Sequence, residues 1–89
     1  MPDKMSSSYF LYRIDKEGDA QIYCKFPSLQ MAKMSADLLM IKDVCFILSG
    51  DFTKLYFYED ENKEWTYDIL TEKGRLEFFD VYPKPDDVD

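Results

Sequence analysis

The chain has 89 residues and not one histidine. The commonest general base and the commonest metal ligand are therefore missing. Any Ser, Cys or Thr nucleophile would have to be activated by Asp, Glu or Lys instead. Cysteine is scarce: Cys24 and Cys45 stand alone, without CxxC spacing, which argues against a zinc site. A disulfide between them is left open beside the alternative of two reduced thiols buried in strands, the usual place for free cysteine. The three glycines, Gly18, Gly50 and Gly74, fall in three separate predicted turns, so there is no Gly-rich phosphate loop, and no GxSxG elbow occurs. No apolar run approaches the roughly 20 residues that span a bilayer. Residues 1–8 are polar and lack the apolar segment of a signal peptide, so a cytoplasmic location is expected.

Basic residues are also in short supply. Eleven Lys and Arg face 18 Asp and Glu, a net charge of -7. A small domain of this sign repels nucleic acid and anionic membrane surfaces, and it attracts basic surfaces on other proteins. These absences together predict a protein that is not an enzyme, with no catalytic residues, no metal and no cofactor.

What is present is aromatic. Seven Tyr, seven Phe and one Trp make up 17% of the chain, within an apolar content of 46% that suits a folded protein. The length fits one domain, which buries roughly 60–65% of its unfolded surface in a single small core. Residues 1–7 read as a flexible lead, residues 8–82 as the domain, and residues 83–89 as a flexible acidic tail. Pro83 and Pro85 resist both helix and central strand in that tail.

Within the domain, period-2 alternation predicts strands over 8–14 and 20–26, with Phe10, Tyr12 and Ile14 opposite Tyr9, Leu11 and Arg13, and with Ile22, Cys24 and Phe26 on one face. Residues 15–19 form the loop between them, with Gly18 free to take positive φ. A helix follows over 29–42, with Ser28 as N-cap and a stripe of Leu29, Ala32, Ala36 and Leu39 that Met31, Met34, Leu38 and Ile41 widen. The unbroken apolar run at 44–48 reads as the most buried strand. Strands over 53–58 and 64–69 follow, the latter with Trp65, Tyr67 and Ile69 opposite Glu64, Thr66 and Asp68. Residues 71–74 read as a turn. Residues 76–82 read either as a last strand or as a short helix, because adjacent Phe78 and Phe79 suit neither period. The expected fold is α+β: an antiparallel sheet of about five strands (β-β-α-β-β-β) with one amphipathic helix packed on one face.

Two surfaces qualify for a partner. Asp51, Glu59, Asp60, Glu61, Glu64 and Asp68 come from one meander over residues 48–69 and form an acidic candidate. The run around residue 60 lacks the spaced ligands of an EF-hand loop, so it reads as an anionic patch. Tyr9, Tyr23, Tyr56 and Tyr58 form the aromatic candidate, on the sheet face expected to be left open by the single helix. The first reading is a protein-binding module, an inhibitor or adaptor docking on a larger protein with a basic surface. An acidic decoy that mimics nucleic acid, and so blocks a DNA- or RNA-binding enzyme such as a host nuclease or a defence system, is the alternative. A small homodimeric subunit that pairs through its Met-rich helix (Met31, Met34, Met40) is a second alternative.

Overall fold

The computed structural model describes residues 8–85. Strands β1 (Tyr9–Ile14), β2 (Ala20–Phe26), β3 (Cys45–Ser49), β4 (Lys54–Glu59) and β5 (Glu64–Ile69) form one antiparallel sheet in the order β2-β1-β3-β4-β5. Two helices accompany it, α1 (Leu29–Leu38) and α2 (Glu72–Val81), and a one-turn 3-10 helix (Lys42–Val44) leads into β3. The α+β fold and its five antiparallel strands match the reading of the sequence. No helix among the described residues is long and apolar enough to cross a membrane.

The single helix expected from the sequence is α1, and it ends earlier than residue 42. Ser28 caps its start, its Oγ accepting from the Met31 N–H at 3.2 Å. It ends in a Schellman turn, with the Ile41 N–H donating to Ala36 O and the Met40 N–H to Asp37 O, while Met40 takes φ 60°. Leu39 is thereby turned out at the C-cap and is not part of the buried stripe. Ala32 and Ala36 are fully buried instead, their small side chains letting α1 lie close over β1, β2 and β3. Leu11, Ile41, Cys45 and Ile47 complete that core layer, with Tyr9, Phe26, Leu29, Tyr56 and Trp65 packed at its margin.

The opposite face of the sheet, expected to be bare of helix, has a second core layer. Phe10, Tyr12, Ala20, Phe46 and Leu48 meet Phe78 of α2, with Phe79, Tyr82, Leu70 and Phe52 packed around them. The turn expected at residues 71–74 is the first turn of α2, where Thr71 Oγ1 accepts from the Gly74 N–H at 3.0 Å. The adjacent Phe pair is divided by function: Phe78 meets Tyr12 and Phe46, and Phe79 meets Phe52. Tyr12 is fully buried, and its hydroxyl donates to the Pro83 carbonyl at 2.6 Å. Burial pushes the Tyr12 phenol pKa up. Pro85 is buried as well; the remainder of the expected tail and the N-terminal lead, residues 86–89 and 1–7, lie outside the described residues.

Strand β2 departs from plain alternation. Leu11 pairs with Cys24 but Tyr12 pairs with Ile22, so Tyr23 is the extra residue of a bulge. Ile22 therefore joins the α2 layer while Phe26 joins the α1 layer, although the sequence puts them in phase. Both thiols are free: Cys24 is exposed on β2, and Cys45 is buried, its pKa pushed up to about 11 by burial and then by nearby Asp43.

Candidate functional site

Strand β5 is an edge strand, paired on one side with β4 and on the other with nothing in the described chain. Its six residues alternate as the sequence predicts. Glu64, Thr66 and Asp68 project to the side of Leu55 and Phe57, which is the α2 side; Trp65, Tyr67 and Ile69 project to the α1 side with Tyr56 and Tyr58. Neither helix covers the strand fully. Tyr67 is 50% exposed and Ile69 61% exposed, while Glu64 and Asp68 are exposed on the other side.

The ladder brings Glu59 directly opposite Glu64. Like charges in that position repel across roughly 4.5–5.5 Å between Cβ atoms. Asp60 and Glu61 lie in the loop between them, and an ion pair there, Lys63 Nζ to Asp60 Oδ1 at 3.5 Å, joins two exposed side chains. Asn62 donates to Glu59 Oε1 at 2.7 Å, which holds that carboxylate at the strand end. Asp68 lies four residues along β5, about 13 Å away at the rise of a strand. Five of the six acidic candidates thus belong to this one hairpin.

Asp51 does not. It sits in the turn between β3 and β4, a strand length from Glu59. Its Oδ1 accepts from Ser49 Oγ at 2.8 Å, Thr53 Oγ1 at 2.7 Å and the Thr53 N–H at 3.1 Å. These bonds, the Thr53 hydroxyl first, hold its carboxyl below the usual carboxylate range. Asp51 builds a turn.

The four tyrosine candidates do not form one open face. Because α1 lies on their side of the sheet, Tyr9 and Tyr56 are half-buried at its margin, with ring centroids 6.3 Å apart. Burial pushes the Tyr56 phenol pKa up, with smaller contributions from Tyr9, Tyr67 and Asp51. Tyr23 stands exposed on the β2 bulge, on the far edge of the sheet. Tyr56 and Tyr58 both join the β5 aromatics, Tyr56 5.4 Å from Tyr67 and Tyr58 5.7 Å from Trp65.

Lysines converge on these rings. Lys42 Nζ lies 4.4 Å from the Tyr58 centroid, Lys54 Nζ 5.4 Å from Tyr67 and Lys33 Nζ 6.0 Å from Trp65. Lys42 also pairs with Asp37 Oδ1 at 3.1 Å, and that bond raises its pKa. Lys33, Asp37, Lys42, Tyr58 and Trp65 line an open cleft of about 330 Å³ where α1 meets the hairpin. The hairpin is polarised across its thickness, with carboxylates on one side and ammonium groups over aromatic rings on the other. The lysines of α1 and its following turn were not legible as part of this site, because only the fold brings them to β4 and β5.

No protein-family model, curated protein or solved structure matches the chain. Function is therefore read from the site.

Two further groups lie elsewhere. Asp15, Glu17 and Asp19 place ligand atoms within 4.8 Å of one another in the loop between β1 and β2. Asp15 Oδ1 is already used there, accepting from the Glu17 and Asp19 N–H groups at 3.0 and 2.9 Å. On α1, Met31, Met34 and Leu38 are exposed at i, i+3 and i+7, and Leu38 is 78% exposed, so this side of the helix faces away from the core the sequence assigned it to.

Proposed function

We propose that this chain is a non-enzymatic protein-binding module, an inhibitor or adaptor that docks on a larger protein through the β4–β5 hairpin, against a basic surface. One observation carries the reading: Glu59 and Glu64 oppose each other across the ladder of an edge strand whose other side leaves Tyr67 and Ile69 exposed. A like-charge cross-strand pair is unfavourable to the isolated fold. A cationic partner relieves that repulsion, and the exposed aromatic side supplies the apolar contact of a stable interface.

The test compares the natural chain with a Glu64→Lys, Asp68→Lys double variant, each immobilised and offered a cell lysate at low and then high salt. Expected is a partner held by the natural chain and lost at least tenfold by the variant, with circular dichroism unchanged. Partners held equally by both would sink the reading. Release of the captured protein by short duplex DNA would instead select the decoy, which shares the acidic surface but requires a nucleic-acid-binding target.

A second reading has its own observation, the exposed Met31, Met34 and Leu38 stripe, which suits a homodimer because methionine adapts to irregular surfaces. Light scattering over a range of concentrations decides it. A dimer that Met34→Asp dissociates supports it, and a strict monomer removes it.

A further inference from the structure

We propose that β5 binds its partner by strand addition: an extended segment with Lys or Arg at alternate positions and apolar residues between them pairs along Glu64–Ile69 as a sixth strand. The proposal rests on the hairpin being the docking surface and names how it docks.

The two edges of the sheet are built differently. On β2 the ladder is interrupted by the Tyr23 bulge, and a bulge twists an edge out of the geometry that another strand needs. On β5 the register with β4 runs unbroken through Lys54 with Ile69, Leu55 with Asp68, Tyr56 with Tyr67, Phe57 with Thr66, Tyr58 with Trp65 and Glu59 with Glu64. An unbulged edge of six residues presents alternate N–H and C=O groups outward, the template for main-chain pairing.

The side chains then choose the occupant. Residues of an added strand that fall beside Glu64 and Asp68 meet carboxylates, with Glu59 a further strand away. Cross-strand opposite charges are favourable there, and acidic residues are not. Residues of the opposite parity fall beside Trp65, Tyr67 and Ile69, where apolar side chains cover rings and an exposed Ile. The alternation of β5 is therefore copied in complement. A second copy of this chain is a poor occupant. In the two-fold register centred on Thr66, Glu64 of one copy lies opposite Asp68 of the other, between two molecules that each carry -7. The acidity that discourages self-pairing is the feature that recruits a basic strand.

The test uses four peptides of equal length and charge: alternating Lys-Val, a block of Lys followed by a block of Val, and the alternating peptide N-methylated at every Lys or, separately, at every Val. Trp65 is the only Trp in the chain and lies on β5, so its fluorescence reports binding directly. Expected is that the alternating peptide binds at least tenfold more tightly than the block peptide. One methylated series should fail while the other binds, because alternate amides point to opposite edges of a strand. Amide hydrogen exchange along β5 should slow in the complex. Equal binding of alternating and block peptides, lost equally with salt, would overturn strand addition and leave the acidic docking surface standing. If no peptide binds and Glu64→Lys, Asp68→Lys leaves the lysate partner in place, strand addition and the docking surface both fall. A dimer of the free protein with protected β5 amides would overturn the choice of occupant.

Discussion

At the scale of single residues, the same side-chain type does unlike work in this chain. Asp51 and Glu64 are both carboxylates of the meander, yet one faces inward to its own turn and the other outward. The Asp51 carboxyl pKa is depressed in the folded state, so its contribution to stability is present above the unfolded value and is lost as pH falls through the folded one. Asp51→Ala is expected to cost about 1 kcal/mol near neutral pH, in the range of a lost capping side chain. That difference should shrink as pH falls below the ordinary carboxylate value of about 3.9 and the natural carboxyl becomes protonated as well. Urea denaturation of both proteins across that pH range measures it; a cost that persists unchanged in acid would show that the charge plays no part. The Ser49-Gly50-Asp51 turn was legible from composition. The inward direction of the Asp51 side chain was not, because it depends on Ser49 being buried at 6% exposure and on Thr53 curling back.

At the scale of elements, alternation made β1, β4 and β5 readable, down to which side each residue of β5 takes. It failed in β2, where one extra residue shifts the phase and nothing in the composition marks it. The run 29–42 carried a continuous helical stripe, but α1 stops at Leu38 because Met40 adopts a left-handed conformation with no glycine to announce it. Such a conformation costs a non-glycine residue about 1–2 kcal/mol. Met40 is 88% exposed, so removing its side chain forfeits little packing. Met40→Gly is therefore expected to stabilise the protein by about 0.5–1 kcal/mol, after the greater freedom of glycine in the unfolded chain is subtracted. A shift of the urea midpoint to lower concentration would contradict the turn geometry. Helix α2 went unresolved between strand and helix because its two phenylalanines serve different neighbours, and those neighbours, Tyr12, Phe46 and Phe52, come from distant parts of the sequence.

At the scale of the whole molecule, the sheet is the middle of three layers, and the two cores are unequal in kind. Under α1 it is small aliphatic packing around Ala32 and Ala36; under α2 it is a set of rings, with Phe78 4.8 Å from Tyr82, 5.7 Å from Phe46 and 5.8 Å from Tyr12. Phe78→Ala is expected to cost about 3–5 kcal/mol. A domain of this size has only about 5–13 kcal/mol to lose, so the melting temperature should fall steeply. A loss below about 1 kcal/mol would mean that α2 does not cover the sheet. The Tyr12 hydroxyl and the Pro83 carbonyl tie this layer together across 71 positions of sequence. That link has a consequence for how the protein is made. Strand β1 is made before the other strands of the sheet and becomes a central strand, flanked by β2 and β3. One face of it stays bare until translation has passed Pro83. The nascent domain therefore carries Phe10, Tyr12 and Phe46 uncovered while β2 to β5 are made, and the arrival of α2 and Pro83 ends their exposure to chaperones and to neighbouring chains.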